Sequence, residues 1–392
     1  MDERNGGAGP VVERPHRPGR LGAGRHGLGR RELVAAAGAG VVGVGAVVAG
    51  GLVLRHARHS PAVAGRTPLE GTFRRLVLSW PATNPMLFAV ARANFFASYH
   101  LDVSLAGGVP NGRAAIAALA AGRAVGAVSP ILTWLDVYQQ GGLQGGQHGG
   151  VPAHLVAGLQ SGTFRLLVRR KVKITRLDNV AGLRIAVTDP DMADRLFFSV
   201  MMRRKGIDPD RAVQWLTLPP EQVEAAARAG EIDAVAAHDP LAWRLLHAAD
   251  SPFFELANSV NGNYGARANL ALSLSDTFLQ ADPAAAAALV MALRAASDWI
   301  RDHPAQAASL MAGQGDGTGQ ADILAMLRHE RLGVSPVGAD LRVQVAQYVD
   351  EMKLLGRVPD TVGSAAYARR VCFNALQADA ARSFWPLGAG PR

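Results

Sequence analysis

The stretch Ala225–Leu245, AAARAGEIDAVAAHDPLAWRL, predicts the fold because the chain carries a similar stretch at Ala117–Leu135, AALAAGRAVGAVSPILTWL. Each copy runs from an Ala-rich helix through a Gly and a short apolar strand to a polar turn, a Pro and a helix that bears a Trp. Helix–strand–helix units of this kind belong to parallel α/β sheets, in which ligands bind beyond the carboxyl ends of the strands. We therefore predict two similar α/β lobes whose strand ends face one cleft.

Strands alternate with helices on either side of this repeat, as in βαβ units. Val151–Val168 is apolar with a polar interruption, which predicts a segment that crosses from one lobe to the other. Phe253–Ala257 and Leu270–Leu274 are the strands expected to lead back. The predicted domains are a discontinuous lobe I at 71–160 and 265–380, which includes the C-terminal helices, and an inserted lobe II at 161–264.

Composition excludes several classes of protein. The chain has 392 residues, with 49% hydrophobic and 19% charged, which is ordinary for a globular protein with sizeable cores. The net charge of +9 is concentrated near the N-terminus, where residues 1–64 hold nine Arg and four acidic residues. The rest of the chain therefore lacks the basic surface that binds nucleic acid. Cys372 is alone, so neither an internal disulfide nor a multi-cysteine metal site is expected.

Residues 1–64 have the layout of an export signal. Arg30-Arg31 precede 22 uncharged residues, Leu33–Leu54, and the pattern Ala62-Val63-Ala64 follows. The paired Arg before a weakly apolar core rich in Gly and Ala resembles a twin-arginine signal, with cleavage expected after Ala64. The alternative is a permanent anchor, since 22 apolar residues are enough to span a bilayer. Both interpretations place the body of the protein outside the cytoplasmic membrane.

An ordered series of short segments resembles the nitrate/sulfonate/taurine (NMT1/THI5-like) family of ABC-importer substrate-binding proteins. The segments lie within residues 72–376 and are Leu177–Val187, Gly206–Pro209, Pro219–Val223, Ala229–Ala234, Phe278–Pro283 and Trp299–Pro304. The resemblance implies a two-lobed α/β fold of the type 2 periplasmic-binding-protein kind, with the ligand cleft between the lobes. It also implies a monomeric protein that works with an ABC permease in the membrane.

Enzyme signatures are absent from the sequence. Gly158–Gly162 places its Ser one position too late for a nucleophile elbow, and no paired-His metal motif occurs. We therefore expect no catalysis, no cofactor and no metal. A binding site needs only polar groups and helix N-termini that converge on a cleft. Our candidate ligand-binding residues follow strand ends or lie in the crossing segment; they are Ser79, Trp80, Asn84, Ser129, Gln160, Ser161, Thr163, Thr188, Asp189, Met192, His238 and Asp239.

The turn Asp189–Met192 departs from the resembled family. Sulfonate binders tend to have Ser and Thr before the first helix of lobe II, whereas this chain has Asp189 and Asp191. Carboxylates facing the cleft would repel an anion. The ligand is therefore neutral, cationic or zwitterionic, or else these carboxylates point away from it.

The sequence thus predicts an exported substrate-binding protein that closes on a small molecule and delivers it to an ABC permease. Two alternatives remain at this point. One is a sensory or accessory protein anchored through Leu33–Leu54. The other is an enzyme related to the pyrimidine-pathway members of the same superfamily, which the single Cys372 disfavours.

Overall fold

The computed structural model describes residues 73–143, 151–189, 193–314 and 317–377. The chain separates into two compact units, and the second, Val63–Arg392, contains all of these residues. The predicted export signal at 1–64, the alternative anchor Leu33–Leu54 and the candidate Met192 lie outside the described residues. Among the helices that are described, none is both long enough and apolar enough to cross a membrane.

The described residues contain ten strands. In chain order they are β1 (Arg74–Ser79), β2 (Leu101–Leu105), β3 (Gly126–Pro130), β4 (Ala153–Ser161), β5 (Phe164–Arg169), β6 (Arg184–Val187), β7 (Gln214–Thr217), β8 (Ala234–His238), β9 (Phe253–Asn258) and β10 (Ala268–Ser275).

Two five-stranded sheets share one topology. The order is β2-β1-β3-β10-β4 in lobe I and β7-β6-β8-β5-β9 in lobe II. In each sheet the first three strands are parallel, and the fourth runs antiparallel to both of its neighbours. The strands of the two repeat copies, β3 and β8, occupy the same central position. The predicted pair of similar lobes is confirmed.

Helices cover both sheets. In chain order they are α1 (Met86–Asn94), α2 (Gly112–Ala120), α3 (Ile131–Leu143), α4 (Ala193–Arg203), α5 (Pro209–Ala212), α6 (Val223–Ala229), α7 (Leu241–His247), α8 (Asp276–Ala281), α9 (Pro283–Asp302), α10 (Pro304–Met311), α11 (Gln320–His329), α12 (Gly338–Leu354) and α13 (Ser364–Val371).

Local chemistry explains the repeat unit. The strand residues Ala234–Ala237 are fully apolar and almost completely buried, as expected for a central strand covered on both faces. Gly122 and Gly230 follow α2 and α6 with φ of 70° and 79°, the left-handed conformation in which a helix commonly ends at glycine. Trp134 and Trp243 are buried in the packing of their helices.

Two segments connect the lobes. The predicted crossing at Val151–Val168 is confirmed, since β4 belongs to the sheet of lobe I and β5 to that of lobe II. The chain returns between β9 and β10, so the strand predicted at Phe253–Ala257 stays in lobe II. The two connections touch, because the Phe164 N–H donates to the Ser259 hydroxyl at 2.9 Å. A side chain at Gly162 would collide with Ser259. The two connections are therefore in direct contact.

Candidate functional site

A cavity of about 40 Å³ lies between the lobes, at the carboxyl ends of the central strands. Lobe I contributes loops and the starts of helices, lobe II contributes β5, α4 and β8, and the crossing segment closes the base. The polar side chains in its lining are Thr83, Asn84, Asn111, Arg113, Thr133, Gln160, Ser161, Thr163, Asp194, His238 and Asn269.

Unpaired polar atoms lie at the strand ends of lobe I. The hydroxyls of Ser79 and Ser129 are fully buried, and neither has a hydrogen-bond partner in the described structure. The side-chain oxygen of Asn84 is also buried and has no hydrogen-bond partner among the described residues. Buried polar atoms of this kind cost about 1–3 kcal/mol each when they lack a partner, so such groups are normally satisfied by water or a ligand. Lobe I therefore presents a set of groups suited to a polar ligand.

Helix N-termini surround these atoms. α1 begins directly after Asn84-Pro85, and α2 begins at Gly112, where the Asn111 side chain accepts the Ala114 N–H at 2.8 Å. A Cβ at Gly112 would lie 3.2 Å from the Cβ of Ser129, so glycine permits the helix to start this close to the strand end. Free N–H groups at helix starts attract negative charge or acceptor atoms.

The wall from lobe II carries a histidine–carboxylate pair. His238 ends β8, and its Nδ1 lies 3.0 Å and 3.2 Å from the two carboxylate oxygens of Asp194 in the first turn of α4. The side chain of Asp194 is 2% exposed and that of His238 is 21% exposed, so the imidazole keeps an open edge. Burial lowers the pKa of His238, but the charges of Asp194 and Asp239 outweigh it, so that this pKa is raised above 6.5.

Asp239 has a structural role. Its carboxylate is fully buried and accepts from Arg165 Nε at 2.8 Å and from Arg165 Nη2 at 2.8 Å, while Glu255 holds the same guanidinium from the other side. Both carboxylate oxygens are therefore already bonded to protein. The structure corrects our assignment of Asp239 to the ligand site, because adjacent positions on a strand end point in different directions.

Asp189 connects the lobes instead of facing the cavity. Its carboxylate accepts a hydrogen bond from the side-chain amide of Asn111 in lobe I. Thr188 and Asp189 are absent from the cavity lining. Because the Asp189 carboxylate accepts a hydrogen bond from the Asn111 amide, its expected repulsion of an anionic ligand is reduced.

The structure brings together five of the twelve candidates. Asn84, Gln160, Ser161, Thr163 and His238 line the cavity, although the Ser161 hydroxyl already donates to the Arg331 carbonyl at 2.6 Å. Ser79 and Ser129 are fully buried and do not belong to this lining. Trp80 is a core residue, 2% exposed, whose Nε1 donates to the Asn84 carbonyl at 2.7 Å. The indole thus supports the loop of Asn84 and forms no aromatic wall.

Sequence reasoning missed six polar residues of the lining: Thr83, Asn111, Arg113, Thr133, Asp194 and Asn269. Asn111 could have been found from Pro110-Asn111-Gly112, which is typical of a helix N-cap. Asp194 lies in the first turn of the helix after β6. Acidic residues are common there because they interact favourably with the helix dipole, so this position by itself does not indicate a site. Arg113 forms an ion pair with Asp136 at 2.9 Å. The two residues are 23 positions apart, so no local sequence motif indicates this pair.

The two similar sheets and their order of strands define the two-lobed periplasmic-binding-protein fold. The sequence model of the NMT1-like family matches residues 78–313, which is more than half of the chain. The protein belongs to the NMT1-like family. No curated protein matches the sequence.

Solved structures agree with this fold. The alkanesulfonate-binding protein SsuA from Xanthomonas axonopodis pv. citri, bound to MOPS, is 18% identical with a TM-score of 0.61, over 76% of this chain and 99% of that one. The periplasmic nitrate-binding protein NrtA from Synechocystis PCC 6803 is 15% identical with a TM-score of 0.61, over 80% and 89%. The desulfurization enzyme DSZB is 13% identical with a TM-score of 0.50, over 75% and 99%. Identities this low establish the fold only.

Proposed function

We propose that this protein is the exported substrate-binding component of an ABC importer and closes by a hinge on a small polar molecule. The observation that carries the proposal is the interlobe cavity, whose walls come from the strand ends of both lobes. Ligands bind at this position in open α/β sheets. Near it, three buried polar atoms of lobe I, on Ser79, Asn84 and Ser129, have no hydrogen-bond partner among the described residues.

The chemistry of the cavity favours binding over catalysis. Eight of its seventeen lining residues carry hydroxyl or amide side chains, which orient a ligand through hydrogen bonds. The carboxylate of Asp194 is engaged by His238 and that of Asp239 by Arg165. DSZB shows that an enzyme can be built on a similar fold, so the argument rests on these side chains and not on the fold.

The proposed ligand is of the nitrate, sulfonate or taurine type. Proteins of similar structure bind an alkanesulfonate and nitrate. In this chain the N-termini of α1 and α2 and the imidazole of His238 are positioned to hold an acceptor group from two sides. The modest volume of the cavity favours a ligand of a few heavy atoms over a large one.

Hinge closure would engage both walls at once. The two connections meet at Phe164 and Ser259, and the amide of Asn111 reaches Asp189 across the cleft. Rotation about connections of this kind is the usual closing motion of two-lobed binders. The closed form would present both lobes to a permease, the partner that we propose.

A thermal-shift screen of the purified full chain tests the proposal. The probes are nitrate, taurine, alkanesulfonates, bicarbonate and small pyrimidines. A ligand at 100 times its Kd adds about 2.7 kcal/mol to the free energy of unfolding, which raises Tm by several degrees. We expect one class to stabilise the protein and the variant Asn84→Ala to lose that response. Failure of every probe would contradict the proposal.

Export is tested separately. We propose that residues 1–64 direct export and are removed after Ala64. Cell fractionation with N-terminal sequencing should find a soluble chain that begins at Gly65. Recovery of the intact N-terminus in membranes would favour the anchored sensory or accessory protein, because the uncharged run Leu33–Leu54 is long enough to remain as a span.

A further inference from the structure

The imidazole of His238 has one nitrogen occupied and one available. Nδ1 faces the carboxylate of Asp194 and therefore carries a hydrogen. When the ring is neutral, Nε2 is an acceptor; when the ring is protonated, Nε2 becomes a donor with positive charge. One proton therefore decides which kind of ligand atom the lobe II wall can bind.

We propose that Asp194 is the residue that charges His238 in the ligand cavity, so that the protein takes up the anionic group of its ligand together with a proton. This inference rests on the proposed function. Asp194 acts as a positioning residue, since its carboxylate lies behind the imidazole and holds it in one orientation. Nothing in the sequence beyond its place in a helix start pointed to this role.

The other charged groups near His238 have partners of their own. Asp239, the next residue, is ion-paired with Arg165 on β5, and Arg165 is also bonded to Glu255 on β9. Arg113, which lines the same cavity from α2, is paired with Asp136. Asp194 is the carboxylate in direct contact with the imidazole among the described residues. Removal of its charge should therefore change the protonation of His238 more than any other single neutral substitution.

The sign of the pH effect follows from this arrangement. The neighbouring carboxylates hold the pKa of His238 above its ordinary value, so the donor form persists to higher pH than for an exposed histidine. Binding of an anionic group is strongest below this pKa. Above it, affinity falls by up to about tenfold per pH unit, because a proton must be taken up for each ligand bound.

The test compares Asp194→Asn with the native protein. NMR titration of the His238 ring, assigned by the absence of its signal in His238→Gln, measures the pKa directly and needs no ligand. Calorimetric titration with methanesulfonate and with nitrate then measures Kd between pH 5 and 9. Asp194→Asn keeps a hydrogen-bonding side chain of the same shape but removes the charge. Asp322→Asn, an exposed position on α11, is the matched control.

We expect Asp194→Asn to lower the pKa of His238 by at least one unit and to move the fall in affinity to lower pH by the same amount. His238→Gln should bind weakly, with little dependence on pH. An unchanged His238 titration in Asp194→Asn, or a lowered pKa without any shift in the affinity profile, would overturn the inference. If no anion binds the native protein at any pH, the anionic ligand class of the proposed function fails as well, whereas the ring titration shows independently whether Asp194 sets the charge.

Discussion

The two lobes have the same sheet topology but differ at the end of the central strand. In lobe I, β3 ends at Ser129-Pro130, and the buried Ser129 hydroxyl has no partner in the part of the chain that the structure describes. In lobe II, β8 ends at His238, and the following Asp239-Pro240 carries a carboxylate that is fully bonded to Arg165. Equivalent backbone positions thus hold an unsatisfied neutral group in one lobe and a saturated ion pair in the other.

Because of this difference, we expect the two lobes to play different roles in ligand binding. A buried group without a partner costs stability until a ligand satisfies it, whereas a bonded ion pair fixes the local structure. We therefore expect lobe I to supply most of the direct hydrogen bonds to the ligand. Lobe II is expected to supply a rigid wall with one adjustable donor, His238. The predictions below follow from this contrast, in order of decreasing effect.

The largest effect is expected from Asp239→Asn. The substitution leaves Arg165 with only Glu255 as an anionic partner in a buried position, and breaking a buried ion pair typically costs about 3–5 kcal/mol of unfolding free energy. Denaturant unfolding measures the change. Ser129→Ala, the equivalent position in lobe I, is the control and should not destabilise the protein, because it removes a buried hydroxyl that has no partner among the described residues. Similar losses in both variants would remove the contrast between the lobes.

The second effect concerns ligand affinity. Ser129 is buried next to Gly112 of the cavity lining, and its hydroxyl has no partner among the described residues. We expect this hydroxyl to bond the ligand, and Ser129→Ala removes it. For the ligand found by the thermal-shift screen, Kd should rise about tenfold, which corresponds to about 1.4 kcal/mol. Ser98→Ala, whose hydroxyl bonds only the Phe95 carbonyl at the surface, should leave Kd unchanged. Unchanged affinity in Ser129→Ala would place the ligand away from the strand ends of lobe I.

A third prediction concerns Glu330, a carboxylate of lobe I that lacks an arginine partner. Its contact is with Gln160 at 3.5 Å, and its Oε1 is buried without a hydrogen bond in the described structure. Burial, with the nearby charge of Asp239, raises the pKa of Glu330 from 4.5 to about 8. The folded protein therefore keeps a proton that the unfolded chain loses.

The stability of the native protein should consequently fall as pH rises from 4.5 to about 8, and the whole contribution is lost above that value. Glu330→Gln should remove this part of the slope and raise Tm at pH 8 by a few degrees while changing it little at pH 4. Thermal unfolding at several pH values measures the effect. Glu231→Gln, at an exposed position, serves as the comparison, and equal slopes in all three proteins would refute the assignment.

The smallest effect is expected at the contact between the lobes. Asn111→Ser keeps an oxygen able to cap α2 but removes the amide donor to Asp189, so stability should change by only a few tenths of a kcal/mol. The closed form should become less populated, and Kd should rise roughly twofold to threefold. Small-angle scattering without ligand should show a larger radius of gyration. An equal radius in both proteins would mean that this contact does not hold the lobes together.

Sequence patterns located the helix–strand–helix repeat and the strands at Phe253–Ala257 and Leu270–Leu274 to within a few residues. They succeeded because burial on both faces of a parallel sheet imposes long apolar runs, as in Ala234–Ala237, and because Gly122 and Gly230 mark helix ends through their left-handed backbone. The family resemblance placed the cavity between the lobes. It could not tell which side chains line it, since Trp80 and Asp239 follow strand ends as regularly as Asn84 and His238 do.

The sequence by itself determined the repeat, the two-lobed α/β fold and the edge of each sheet that faces the cavity, because these follow from local periodicity and chain direction. Only the tertiary structure determined which polar side chains form hydrogen bonds and ion pairs with each other. Asp239 meets Arg165, His238 meets Asp194 and Asn111 meets Asp189 over separations of 74, 44 and 78 residues. A polar side chain at a strand end can either stabilise the fold or be available to bind a ligand. Neighbours that are distant in sequence decide between these roles, and local sequence patterns do not reveal those neighbours.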